Sequence, residues 1–167
     1  MALLNRFFAV IVDVIDRHGG WVNKFEGDGA MCVFGAPLPH EDAAGAALTS
    51  ARELGARLVS ELPQLHAAIG VSAGPAVAGN VGAEQRFEYT VIGDPVNEAA
   101  RLCELAKRAD HSVLAADAAI TAAGAREGDR WTLGERTVLR GRRSATRVAT
   151  PIRQDASEPA SRHPLPV

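Results

Sequence analysis

Phe87-Glu88-Tyr89-Thr90-Val91-Ile92-Gly93-Asp94-Pro95-Val96-Asn97-Glu98-Ala99-Ala100-Arg101-Leu102 passes from an alternating, strand-like pattern to a helical one at a single break. The alternation runs over 86–92. Gly93-Asp94-Pro95 then opens a helix running to about residue 108, with Asp94 expected as N-cap and Pro95 at the first helical position. Ala99, Leu102, Cys103 and Ala106 make the apolar face of that helix. Asn97 and Arg101, four apart, share a different face. An amide and a guanidinium projecting together can orient a sugar and neutralise phosphate charge. Taken alone, the same pair is also an ordinary exposed polar stripe. Thr90, just before the helix, is by itself only a β-former with a hydroxyl.

Upstream, an extended piece over 76–81 runs into a turn at Gly82-Ala83-Glu84 and pairs with 86–92. A strand is expected over 66–73, ended by Gly74-Pro75. Before it, Glu41 and Asp42 suit the first turn of a long helix whose face carries Ala44, Ala47, Leu48, Ala51, Leu54, Leu58 and Leu62. Residues 21–25 and 30–34 read as a hairpin around Glu26-Gly27-Asp28-Gly29. The chain opens with an amphipathic helix over 3–18, its stripe made by Leu4, Phe7, Phe8, Ile11, Val14 and Ile15. His18 is expected near the last carbonyls of that helix. Downstream come a strand at 112–115, a helix at 117–123 and strands at 131–138 and 146–150. The pattern predicts an α+β, ferredoxin-like two-layer sandwich, with helices on one face of a mostly antiparallel sheet. One domain over 1–150 is expected, followed by a disordered tail over 151–167 rich in Pro, Ser and charge.

Composition narrows the function. With 18 Lys and Arg against 20 Asp and Glu, the net charge of -2 argues against a nucleic-acid binder. Cys32 and Cys103 lack metal-type spacing and each lies in an apolar stretch, so both read as reduced core residues. No signal-peptide pattern and no membrane-length apolar run is present, so a cytoplasmic location without direct membrane contact is expected.

A further cluster is Lys24-Phe25-Glu26-Gly27-Asp28. A carboxylate at an exposed hairpin turn can hold a hard cation such as magnesium. Gly-Asp-Gly is equally a good turn, and Lys24 equally a solvated strand lysine. The Arg-rich end, Arg140, Arg142, Arg143 and Arg147, could help hold a triphosphate, though a solvated hairpin explains it as well.

Together, Asn-Lys-Phe-Glu-Gly-Asp-Gly-Ala-Met at 23–31 and the opening segment at 87–102 resemble the two signature segments of class III adenylyl and guanylyl cyclase catalytic domains. Leu-Leu-Asn-Arg-Phe-Phe at 3–8 resembles that family's first helix. The resemblance covers about residues 3–150. It implies that Asp28 is a metal-binding aspartate and that Lys24 reads the adenine ring. It gives Asn97 the ribose and Arg101 the transition state. Thr90 stands where many members have an aspartate that also reads adenine; one branch has Thr or Ser there, and a hydroxyl can accept from the adenine amino group. Lys24 with Thr90 therefore favours ATP over GTP. The family uses two Mg2+ or Mn2+ ions, and its sites form across a homodimer interface, metal ligands from one subunit and base-reading and transition-state residues from the other. The family's first metal aspartate lies on a strand before the first helix, and no counterpart is found here. The chain thus resembles an N-terminally shortened domain of weak or no activity, with a regulatory domain possible upstream in a longer product. The competing expectation is a cyclase-homology module that dimerises or binds nucleotide without turnover. A diguanylate-cyclase-like reading fails because Glu26-Gly27-Asp28-Gly29 does not match Gly-Gly-Asp/Glu-Glu-Phe. An RNA-binding ferredoxin-like fold would need stacking aromatics and a basic face.

Overall fold

A computed structural model describes residues 1–83, 86–109 and 111–152. Of the expected tail, residues 153–167 lie outside the described residues, as does Glu84 of the expected turn.

Helix α1 (Ala2–Arg17) buries Val10, Ile11, Val14 and Ile15. They meet Leu54, Leu58 and Leu62 from α2 (Ala43–Glu61) and its end in one apolar cluster. α2 starts where Asp42 accepts a hydrogen bond from the Gly45 backbone N–H at 2.8 Å, a side-chain N-cap. His18 does not turn back onto its own helix end. Its Nε2 lies 2.8 Å from Glu53 on α2, and Arg17 donates to the same carboxylate at 2.6 Å. The α1–α2 seam is thus closed by charge where the apolar stripe ends.

Strands β1 (Trp21–Glu26) and β2 (Gly29–Val33) form an antiparallel hairpin. Between them, Gly27 takes a φ of 61° at the first position of the turn, leaving Asp28 exposed at its tip. The second sheet has the order β3-β6-β8-β7, from β3 (Ile69–Val71), β6 (Val113–Ala116), β8 (Ala145–Pro151) and β7 (Trp131–Val138). Only the β3–β6 pair is parallel. β4 (Val77–Ala83) and β5 (Arg86–Ile92) make a third, separate hairpin. Helices α3 (Asp94–Ala106) and α4 (Asp117–Gly128, kinked at Gly124) complete the fold.

The α+β class and the antiparallel-rich sheets agree with the sequence reading, but three of its details are corrected. Helices cover both faces of the four-stranded sheet, not one. All four residues of β6 are buried. Val113 and Ala115 face Leu48, Ala51 and Ala119 of α2 and α4, whereas Leu114 and Ala116 face Leu102 and Ala106 of α3. A strand covered on both sides reads as a continuous apolar run, which hides the two-sidedness in the sequence. The strand expected over 66–73 is only the three residues of β3. Moreover, the strands form three sheets: among the described residues β2 pairs only with β1 and β3 only with β6, so each keeps one open edge.

Gly70 sets the position of α3. A Cβ there would stand 2.2 Å from the Ala99 carbonyl oxygen and 2.5 Å from the Cys103 nitrogen. The helix therefore rests directly on the β3 backbone, and its opposite face is turned to solvent.

Candidate functional site

The exposed face of α3 carries two of the predicted residues. Asn97 and Arg101 are both exposed, while Leu102 and Ala106 behind them are buried. Arg101 makes no ion pair among the described residues, so its guanidinium is available. Burial pushes the Cys103 thiol upward, and its Sγ lies 3.3 Å from the Ala68 carbonyl; Cys32 is pushed up to about 12. Both are free thiols with a packing role.

Lys24 and Thr90 lie on neighbouring strands, β1 and β5. The link between those strands is one residue before each of them: Asn23 Nδ2 donates to the Tyr89 carbonyl at 2.8 Å, and the Trp21 and Tyr89 rings stand 5.7 Å apart. Thr90 is half-buried and faces Gly79 in the β4–β5 ladder. A Cβ at Gly79 would meet nothing within 4 Å, so open space flanks Thr90. Lys24 is held above the ordinary lysine value first by the Glu26 carboxylate, 2.7 Å from its Nζ. It is a cation throughout the neutral range.

Asp28 is in no hydrogen bond or ion pair among the described residues, although its charge is felt at Cys103 of α3 and at Lys107 just past the end of that helix. No group of three or more His, Cys, Asp or Glu able to hold a metal occurs among the described residues. Asp28 alone is one carboxylate, which does not fit a pair of divalent ions. These residues by themselves do not make the two-metal site.

Sequence reading missed a buried polar centre beneath α3. Glu98 is 6% exposed. It accepts from Ser72 Oγ and Thr146 Oγ1, and its Oε1 lies 2.9 Å from Arg142 Nη1. Arg142 also donates to Asp94 at 2.8 Å. Two expectations change here. Asp94 does not cap α3 with its side chain; the N-cap is Gly93, and Asp94 is spent on Arg142. Arg142 is not solvated, because Glu98 and Asp94 draw it inward. Arg140, Arg143 and Arg147 are exposed as expected, Arg147 donating to the Gly134 carbonyl at 2.9 Å. A signal for Glu98 did exist: it stands four before Leu102 and eight before Ala106, on the buried side of the helix.

The Adenylate and Guanylate cyclase catalytic domain family matches residues 1–145, and the chain belongs to that family. The chain is 55% identical over 152 residues to the uncharacterized protein Mb1354c of Mycobacterium bovis, covering 91% of this chain and 27% of that protein. It is 54% identical over 150 residues to the uncharacterized protein Rv1318c of Mycobacterium tuberculosis, covering 90% and 28%. The chain thus spans little more than a quarter of these relatives. The adenylyl cyclase CyaB from P. aeruginosa has the same fold, with a TM-score of 0.76 at 23% identity, over 93% of this chain and 84% of that one. The guanylyl cyclase Cya2 matches with a TM-score of 0.68 at 26% identity, over 90% and 78%.

Proposed function

We propose that this chain is the catalytic domain of an adenylyl cyclase, which converts ATP to cyclic AMP and pyrophosphate. The observation that supports the reading is the hydrogen bond from Asn23 on β1 to the Tyr89 carbonyl on β5, at 2.8 Å, with Lys24 the residue after one partner and Thr90 the residue after the other, and open space at Gly79 opposite Thr90. A lysine ammonium can donate to a ring nitrogen of adenine, and the Thr90 hydroxyl can accept from its amino group. Asn97 would orient the ribose so that its 3′-hydroxyl faces the α-phosphate. Arg101 would neutralise the charge gathering on that phosphate as pyrophosphate departs.

The reading includes a second copy of the chain. On the β4–β5 hairpin, Val77 is 75% exposed and Ile92, directly opposite it, 56%; Val81 is 50% exposed. Apolar side chains clustered on a two-stranded arm mark an interaction surface. A homodimer would cover them and bring Asp28 of one copy toward Arg101 of the other.

A second reading, a homology module that binds nucleotide without turnover, is favoured by the solitary Asp28. A cyclase assay separates the two. The catalytic reading expects cyclic AMP from ATP with manganese, loss of product in Arg101→Ala, and less product from GTP. Nucleotide binding with no product, in any form of the protein that supplies a second carboxylate beside Asp28, would establish the module instead.

A further inference from the structure

The β1–β2 ladder contains a bulge. Val22 is opposite Cys32 and Lys24 is opposite Met31, so Asn23 is an extra residue with no partner on β2. A bulge re-aims a side chain and terminates local pairing. Here it turns the Asn23 amide away from its own hairpin and onto the Tyr89 carbonyl of β5, at 2.8 Å. Among the described residues, no other side-chain hydrogen bond joins the β4–β5 hairpin to β1 or β2. The Asn23 Oδ1 and the neighbouring Trp21 Nε1 are buried and have no hydrogen-bond partner among the described residues. Leaving two buried polar atoms unpaired costs stability, typically about 1–3 kcal/mol for each such group. The arrangement therefore holds Asn23 in place at a cost that packing alone would remove.

Resting on the adenylyl cyclase reading, we propose that Asn23 is a specificity-determining positioning residue. Its hydrogen bond fixes the offset between Lys24 and Thr90, each the next residue in its own strand, and so decides whether the pair matches adenine. Asn23 itself need not touch the nucleotide. Without the bond, the β4–β5 hairpin loses its one side-chain hydrogen bond to β1 among the described residues, and the two readers are held less firmly in register. A guanine, which presents a carbonyl where adenine presents an amino group, is then rejected less well.

The test compares kcat/KM for ATP and GTP with manganese in the chain and in Asn23→Ala and Asn23→Ser, the latter keeping a donor. Asn23→Ala should lower the ATP-to-GTP ratio about tenfold, mainly by raising KM for ATP, as expected when a base-reading hydrogen bond is misplaced. Asn23→Ser should retain part of the preference. In a Lys24→Ala/Thr90→Ala background, Asn23→Ala should leave the ratio unchanged, since its effect passes through those two residues. An equal fall for both nucleotides, or an additive effect in that background, shows a merely structural asparagine and overturns the proposal. Where turnover is too slow to measure, equilibrium binding of ATP and GTP gives the same ratio. A wild-type chain that prefers ATP while Asn23→Ala keeps that preference sinks this proposal alone. A wild-type chain that binds neither nucleotide sinks the adenylyl cyclase reading, and this proposal with it.

Discussion

Glu98 and Arg142 form a largely buried ion pair, 2.9 Å apart, that fastens the turn between β7 and β8 to the underside of α3. Glu98 lies between Asn97 and Arg101 in sequence, about 100° and 60° around the helix from them, on the flank where the helix becomes buried. The face that projects Asn97 and Arg101 to solvent is therefore backed by a charge cluster as well as by apolar packing. Arg142 is not fully satisfied: its Nε and Nη1 make no hydrogen bond among the described residues, so Nη1 meets Glu98 as an ion pair alone.

Arg142→Met should destabilise the fold by about 3 kcal/mol, because it leaves the Glu98 carboxylate buried without its counter-charge. Glu98→Gln/Arg142→Met should recover much of that loss, since neither member then carries a buried charge. Urea unfolding midpoints of the two variants check this. A double variant no better than Arg142→Met would show that Ser72 and Thr146, not Arg142, are what Glu98 requires.

A pH dependence follows from Glu53 and Glu127. His18 and Arg17 hold Glu53 below its ordinary value of 4.5. Burial pushes Glu127 up, but hydrogen bonds from Arg52 and the Trp131 indole outweigh it and leave the carboxyl lowered. A lowered folded value means that the unfolded chain binds more protons near 4.5. This contribution to stability is complete above that value and is lost as pH falls through the folded values. Arg52→Met should weaken the Glu127 part, because burial is then opposed by the Trp131 indole without the guanidinium. Melting temperature should fall with acidification in the wild type and fall less steeply in Arg52→Met, where the Glu53 part remains. Parallel curves would rule out the Arg52–Glu127 pair as the cause.

Much of the architecture is legible in the chain because periodicity and turn chemistry act locally. The helix stripes, the Gly-Asp-Gly turn and the break at Gly93 each depend on a few adjacent residues. The four-helix and hairpin order could be read in that way, and so could the outward face bearing Asn97 and Arg101. What could not be read depends on residues far apart in sequence. Asn23 looks like any strand asparagine until the bulge turns it onto Tyr89, 66 residues on. Arg142 resembles its exposed neighbours until Glu98 and Asp94 draw it in. Asp94 had every local mark of a cap, yet a guanidinium 48 residues away claimed its carboxylate. The two-sided cover of β6 was hidden for the same reason: a short apolar run does not say how many layers bury it.

If the β4–β5 arm is a dimer surface, a charge on it should weaken association. Val77 and Ile92 are cross-strand partners, so Val77→Asp places a carboxylate in the middle of the exposed apolar pair. Loss of one such contact should raise the dissociation constant at least tenfold, about 1.4 kcal/mol or more. Sedimentation across a dilution series measures it. The fold should be unaffected because the side chain is exposed, so an unchanged melting curve accompanies the expected result. A wild-type chain that stays monomeric at all concentrations would remove the arm from the dimer proposal.

Asp28 and the open edges of β2 and β3 together bear on turnover. Two divalent ions about 4 Å apart repel strongly unless carboxylates offset their charge. Asp28 supplies one such group, and the described residues bring no second one to it. The 167-residue chain should therefore turn over ATP slowly even with manganese. The free edges of β2 and β3 offer backbone donors and acceptors to an added strand. Fusing ahead of α1 a strand that bears an aspartate should fill that position. Cyclic AMP formation should then rise by orders of magnitude, and Asp28→Ala in the extended protein should abolish it. An asparagine in place of the added aspartate separates the two effects of the strand, since it keeps the pairing but removes the charge. Activity gained with aspartate and not with asparagine ties the rise to the carboxylate. Equal gains with both would mean that the strand acts only by ordering the sheet, and a short chain already as active as the extended one would show that Asp28 needs no partner.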